Sequence, residues 1–148
     1  MIRVWGAGRV SVRLSPNDGI QGVEDSDTYA LFDHAAKVLD DLNIGFLEIR
    51  DPLPSGTFGS GLGPRRSAHL KTIFKGPVVD NADYTAESGE AALEKGEADA
   101  ISYGRPFITN PDLVDRIAHG HPWTEGGDPS AWYGNSAEGY TSFPPYSA

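Results

Sequence analysis

The sequence predicts an α/β fold of right-handed parallel βα units. Three observations predict it. Four short apolar runs read as strands: Gly8 to Leu14, Ile44 to Arg50, Pro77 to Asn81 and Ala98 to Tyr103. Helical periodicity falls between most of them. The returns from helix to strand are short, and such repetition describes a parallel sheet with crossover helices.

The first strand alternates, with Val10, Val12 and Leu14 on one face and Arg9, Ser11 and Arg13 on the other. Arg13 therefore points away from the apolar face, where an arginine needs a partner. The first helix is expected from about Asp27 to Leu42. Leu31, Phe32, Ala35, Val38, Leu39 and Leu42 form its apolar stripe, and Ser26 or Asp27 caps its start. After the second strand, Pro52, Pro54, Gly56, Gly59, Gly61 and Gly63 mark a long loop. A short helix around Ser67 to Phe74 follows. The third helix starts after Thr85 and stops at Gly96. The fourth takes Asn110 as cap and Pro111 in its first turn, and stops at Gly120. Beyond His121 the pattern ends. The tail holds Trp123, Trp132, Tyr133, Tyr140, Phe143 and Tyr146, too many aromatics for a linker, so it is expected to pack on the domain. The expected division is residues 1–121 and a tail over 122–148.

With 148 residues, 39% hydrophobic and 22% charged, the chain is long and apolar enough for one core. No apolar run approaches the ~18 residues of a membrane helix, so no transmembrane helix is expected. The start, Met-Ile-Arg-Val-Trp-Gly, lacks a signal-peptide core, and a cytoplasmic location is expected. Cysteine is absent, which excludes disulfides, thiolate metal sites and a cysteine nucleophile. A net charge of −9 and a pI near 4.7 argue against nucleic acid or an anionic membrane as the main partner, so no nucleic-acid and no membrane partner is expected.

Three signals sit at strand C-terminal ends, where βα folds bind ligands. Arg13-Leu14-Ser15-Pro16 closes the first strand; a structural arginine paired to a carboxylate explains it slightly better than a ligand does. Asp80-Asn81-Ala82-Asp83-Tyr84-Thr85 is a polar turn opening a helix. An ordinary capped loop explains it, although a helix N-terminus is also an anion site. Gly104-Arg105 ends the last strand. The glycine admits close approach to the backbone and the arginine offers a planar fork of donors, which suits an anionic ligand. The other candidates are weaker. Gly59-Ser60-Gly61-Leu62-Gly63 follows no strand directly and matches no nucleotide motif. His119 and His121 lack a third ligand, so no metal is expected. His34 lies on the polar side of the first helix, and Glu24-Asp25-Ser26-Asp27 reads as helix capping.

These motifs carry a resemblance. Arg9-Val10-Ser11-Val12-Arg13-Leu14-Ser15-Pro16 resembles the fifth-strand motif of the old yellow enzyme family, with Ser11 in place of the usual glycine. Gly45 to Pro52 resembles the sixth strand, Asn81-Ala82-Asp83-Tyr84-Thr85 the seventh strand and its loop, and Gly104 to Leu113 the eighth. Trp132-Tyr133-Gly134 and Glu138 to Pro144 resemble the family's tail, from which Ser142 and Phe143 depart. Gly56-Thr57-Phe58-Gly59 is similar to the branch that reduces nitroesters and other xenobiotics. The motifs recur in order over nearly the whole chain.

The resemblance implies the C-terminal half, strands five to eight, of a (β/α)8 TIM barrel carrying non-covalent FMN, with the aromatic tail packed on it. It implies that Arg13 approaches the flavin's pyrimidine edge. Asn81, Ala82 and Asp83 would present backbone amides to the phosphate, joined by Gly104 and the Arg105 side chain, and Tyr133 would line the cavity. Family chemistry passes hydride from NAD(P)H through FMN to a small electrophilic substrate, an activated alkene or a nitro compound. The substrate-binding pair and the proton-donating tyrosine belong to the family's upstream half, so no catalytic residue is expected in this chain. Met1 directly before the fifth-strand motif reads as a natural truncation, a split gene or an excised piece. The expected partner is an N-terminal half-barrel chain, or a second copy. Two other readings share the same phosphate cup: a stand-alone phosphate-binding half-barrel without redox activity, and a non-functional remnant.

Overall fold

The computed structural model describes residues 1–17, 19, 25–56, 61, 63–124, 126–128, 130, 132–134 and 136–147. They form two compact units, Met1–Ser102 and Tyr103–Ala148.

The first unit is built on a four-stranded sheet. Its elements run α1 (Ile2–Trp5), a 3-10 turn (Ala7–Arg9), β1 (Ser11–Leu14), α2 (Thr28–Asp41), β2 (Phe46–Arg50), α3 (Ser67–Ile73), β3 (Val78–Asn81), α4 (Ala86–Glu94) and β4 (Ala100–Ser102). The strands lie in chain order, β1-β2-β3-β4, and every neighbouring pair is parallel. All four expected strands form. The first is shorter than its alternation suggested, because the Ala7–Arg9 turn takes up its start. That turn lies against β2: a Cβ at Gly45 would stand 2.6 Å from the Gly8 carbonyl oxygen, so only glycine fits.

Parallel pairing sets which residues share a face. One face carries Val12, Leu14, Leu47, Ile49, Val78 and Asp80. It packs with the helices around a core of Ala36, Ile44, Leu47, Ile49, Leu70, Phe74 and Val78. The other face carries Ser11, Arg13, Phe46, Glu48, Arg50, Val79, Asn81, Ala100 and Ser102. Ser11, Arg13, Phe46 and Ala100 on it are exposed. A parallel sheet is ordinarily covered on both faces, whereas among the described residues this one is half covered.

Asp27 caps α2, its carboxylate accepting the Ala30 N–H at 3.0 Å. The stripe that α2 buries is narrower than expected. Phe32, Ala36 and Leu39 meet the core, while Leu31, Val38 and Leu42 are exposed along the flank away from α3. The other flank is used by charge: the Asp33 carboxylate meets Arg66 at 3.0 Å and His69 at 2.9 Å. Thr85 and Ser88 form a capping box at the start of α4. Gly96, just past that helix, has φ +69, as a C-terminal stop requires.

The second unit holds α5 (Arg105–Thr109), α6 (Leu113–His119) and the tail. α5 forms between the end of the last expected strand and the expected helix start at Asn110, where the sequence pattern placed no helix. The sequence suggested Asn110 as a helix cap, but α6 begins after Asp112, and Asn110 is fully buried between the helices. Its side-chain amide donates to the carbonyls of Pro106 at 2.6 Å and Thr124 at 2.8 Å. Its oxygen accepts from Arg116 at 2.8 Å and from the Thr124 N–H at 3.2 Å. A short amide with two donors and an acceptor serves this junction better than a cap would. Gly120 ends α6 at φ +67, as expected. The tail packs within this unit: Arg116 reaches the Pro144 carbonyl at 3.3 Å, Tyr146 stacks on His121, and the Trp132 indole N–H donates to the Gly126 carbonyl at 2.5 Å.

Candidate functional site

Each strand of the sheet contributes one polar side chain to a closed network near its C-terminal end. Arg13 of β1 and Glu48 of β2 are register partners, as are Asn81 of β3 and Ser102 of β4. An Arg13 Nη donates to Asn81 Oδ1 at 2.6 Å. Asn81 Nδ2 donates to the Ser102 carbonyl at 2.8 Å. Ser102 Oγ donates to Glu48 Oε1 at 2.9 Å, and Glu48 stands 3.8 Å from Arg13 Nε. The ring fixes which end of the Asn81 amide faces the arginine. The Arg13 side chain stays 50% exposed, so it is oriented without being used up.

Arg13 thus has the partner its position demanded. Sequence reasoning did not select Glu48 or Ser102. Their signal was available only through register, since alternation within one strand does not say which residue lies opposite.

The turn after β3 is the second feature. Ala82 has φ +92 and Asp83 φ +56, two successive left-handed residues, neither of them glycine. Such backbone persists only where the surroundings hold it. Here the Leu53 N–H donates to the Asp83 carboxylate at 3.0 Å, and Arg65 donates to the Ala82 carbonyl at 2.7 Å. The Asn81 N–H is taken by the Asp80 carboxylate at 2.8 Å. The capped N-terminus of α4 follows directly.

Beneath the turn lies a buried acidic pair. Asp80 accepts from the Tyr84 hydroxyl at 2.7 Å, and Asp51 accepts the N–H groups of Arg66 and Ser67 at the start of α3. Burial pushes both carboxyls above the ordinary value. The Asp51 charge pushes Asp80 further up, and Arg65 pulls both down. Burial and the neighbouring Asp80 charge also raise the Tyr84 hydroxyl.

In the second unit, Gly104 precedes α5 and Arg105 is its first residue. Gly104 has φ −91, and a Cβ there would meet nothing within 4 Å, so its glycine answers to no packing demand. Gly126, at φ +99, lies against Arg105: a Cβ on it would stand 3.0 Å from both the Cβ and the carbonyl oxygen of Arg105. That contact braces the backbone from which the Arg105 side chain departs. Tyr133 is 88% exposed.

Other sequence candidates contribute less. His119 and His121 stack on each other, and among the described residues no three potential ligands cluster around a metal position. Thr57, Phe58, Gly59, Ser60 and Leu62 of the glycine-rich loop, and Glu24 of the acidic cluster, lie outside the described residues. A shallow cleft lined by Lys71, Phe74, Lys75, Gly76, Pro77 and Asp99 opens at the N-terminal ends of β3 and β4, the opposite end from this chemistry.

The chain matches the family model described as NADH:flavin oxidoreductase / NADH oxidase over residues 2–123. It is 46% identical to the old yellow enzyme homologue of Zymomonas mobilis, superposing with a TM-score of 0.93 over 98% of this chain and 41% of that one. Morphinone reductase is 33% identical with a TM-score of 0.88, over 98% of this chain and 38% of that one. The tomato (Solanum lycopersicum) 12-oxophytodienoate reductase-like protein is 32% identical over 139 residues, covering 94% of this chain and 36% of that protein. The chain therefore spans well under half the length of each. Its four parallel βα units correspond to part of the barrel of these relatives.

Proposed function

Because the chain belongs to the NADH:flavin oxidoreductase / NADH oxidase family, we propose that it supplies the FMN-holding strands of an old yellow enzyme-type oxidoreductase. The complete enzyme would pass hydride from NAD(P)H to an activated alkene or a nitro compound. Bound FMN supplies the two-electron carrier between them. The observation that carries this reading is the Arg13–Asn81–Ser102–Glu48 ring at the C-terminal end of the strands, which holds a half-exposed cation in one orientation.

In this reading Arg13 faces the flavin's pyrimidine edge, where a fixed cation favours the electron-rich form of the ring. Asn81 aims Arg13, and Glu48 moderates its charge. The amides of Ala82 and Asp83, at a left-handed turn leading into a helix, suit phosphate oxygens. The open space beside Gly104 admits a ligand to the backbone, and the Arg105 guanidinium offers the fork for a dianion. Tyr133 covers the flavin cavity. This chain's residues bind and orient; the groups that polarise the substrate and give it its proton come from an N-terminal half-barrel. A phosphate-binding module without redox activity would use the same turn and arginine.

Titration calorimetry with FMN, riboflavin and inorganic phosphate tests the reading. FMN is expected to bind more tightly than riboflavin. Arg105→Ala should weaken FMN by about 2–4 kcal/mol, as when one partner of a desolvated charged contact is lost, and Arg105→Lys should recover little of it. Unchanged FMN affinity in Arg105→Ala would reject the phosphate site. Reduction of the bound flavin by NADPH in the chain complemented with an N-terminal half separates the oxidoreductase from the bare phosphate module.

A further inference from the structure

We propose that the Ser102 hydroxyl is a positioning group: it withholds Glu48 from Arg13 and so keeps the Arg13 guanidinium available to the flavin's pyrimidine edge. The proposal rests on the reading above in which Arg13 faces that edge.

The register of the sheet favours a different arrangement from the one observed. Glu48 is the register partner of Arg13 on the neighbouring strand, and the two side chains share the open face. Paired strands lie about 4.8 Å apart, so a glutamate level with an arginine is placed to close an ion pair. This pair does not close: Glu48 Oε1 stands 3.8 Å from Arg13 Nε, beyond hydrogen-bond distance. The same Oε1 accepts instead from Ser102 Oγ at 2.9 Å. Ser102 lies on β4, with β3 between it and β2. It is not level with Glu48 either. Glu48 pairs in register with Val79, and Val79 with Ala100, two residues short of Ser102. The carboxylate therefore reaches diagonally across β3, away from the cation beside it.

Ser102 acts on the ring twice, through separate atoms. Its carbonyl accepts from Asn81 Nδ2 at 2.8 Å, and Asn81 Oδ1 in turn accepts from Arg13 at 2.6 Å. That half of the ring aims the arginine and needs only the Ser102 backbone. The hydroxyl half controls the carboxylate. Ser102→Ala thus removes one function and leaves the other. Without the hydroxyl, Glu48 is expected to turn back to its register partner. A guanidinium closed in an ion pair then offers less positive charge to a ligand.

The unliganded chain supplies a readout independent of the flavin. In a nitrogen–proton correlation spectrum, the Arg13 Nε–H signal should move downfield in Ser102→Ala, as that group enters a hydrogen bond. It should stay in place in Ser102→Thr, which keeps the hydroxyl. In the chain complemented with an N-terminal half, Ser102→Ala should lower the midpoint potential of bound FMN, in the same direction as Arg13→Met and by less. In a Glu48→Ala background the same substitution should change neither signal nor potential, since a positioning group has no effect once the group it positions is gone. An effect that persists without Glu48 would mean that Ser102 acts by fastening β4, and would overturn the proposal. An Arg13 signal unmoved in Ser102→Ala would overturn it too. An FMN potential unchanged in Arg13→Met removes the flavin reading, and this proposal with it. A potential shifted in Arg13→Met but not in Ser102→Ala sinks this proposal alone.

Discussion

Arg13 and Asn81 meet at 2.6 Å across two intervening βα connections, although 68 positions separate them in the chain. The contact sets the direction of the only cation in the ring, and Glu48 lies close enough to offset its charge. The two side chains should therefore act on a bound flavin with opposite signs. Arg13→Met should lower the midpoint potential of bound FMN and slow its reduction by NAD(P)H. Glu48→Gln should raise that potential. Potentiometric titration of the chain complemented with an N-terminal half reads both, and an unshifted potential in Arg13→Met would remove that residue from the flavin edge.

Asn110 should prove the most sensitive polar residue of the second unit. Asn110→Ala removes the side-chain donor to the Thr124 carbonyl, leaves the Pro106 carbonyl only the backbone N–H of residue 110, and deprives Arg116 and the Thr124 N–H of an acceptor. The expected cost is roughly 3 kcal/mol, the sum of buried polar groups left unsatisfied. Denaturant unfolding followed by tryptophan fluorescence measures it through Trp123, which packs edge-on against Tyr103. A loss below about 1 kcal/mol would mean that other groups satisfy the junction.

The buried acids give stability a definite pH dependence. Asp51 and Asp80 both titrate above the ordinary value of 3.8, burial being the largest cause. Each holds its proton more tightly when folded. Their contribution favours the folded state at low pH and is lost as pH rises from the unfolded value through the raised folded one. Asp99 works in the opposite sense, held low by Lys71 and the Val78 N–H. Its contribution is present above the unfolded value and is lost as pH falls through the lowered one. Asp51→Asn keeps an oxygen for the Arg66 and Ser67 N–H groups and removes the charge that pushes Asp80 up. The Asp80 carboxyl, followed by carbon NMR, should then titrate at lower pH. The variant should also gain stability relative to the parent as pH rises through the same window. An unmoved Asp80 would show that the two acids are not coupled.

The half-covered sheet predicts association. β1 and β4 are the sheet's edge strands, Phe46 on the open face is 39% exposed, and Leu31, Val38 and Leu42 line the outer flank of α2. Edges and apolar surface of this kind recruit another chain. Light scattering should show a mass that rises with concentration, falling back to a single complex when an N-terminal half-barrel is supplied. The chain alone should not oxidise NADPH in the presence of an enone. A concentration-independent monomer that turns over cyclohexenone unaided would overturn this account of the sheet.

Much of the fold was legible because strand alternation and helix stops are local. Val12 and Leu14 face the helices, Asp27 caps α2, and Gly96 and Gly120 end their helices where the pattern said they would. What stayed hidden depended on partners far along the chain. Asn110-Pro111 carries the signature of a helix start, but burial gave Asn110 four polar neighbours to satisfy instead. Leu31, Val38 and Leu42 fit an apolar stripe by spacing, yet the sheet meets only the narrower set at Phe32, Ala36 and Leu39. Arg65 follows a long loop and belongs to no periodic segment, so nothing local pointed to the Ala82 carbonyl. The left-handed Ala82-Asp83 pair lacks glycine, the usual sign of such backbone.

Strand order in the sheet equals order in the chain, and this bears on synthesis. A ribosome releases β1 before β2, β3 and β4, and each later strand of this sheet emerges to find its neighbour already in place. No strand has to be inserted between two others, so no gap must be held open while the rest is made. Folding can proceed vectorially, one βα unit at a time, with the growing edge always the most recently made strand.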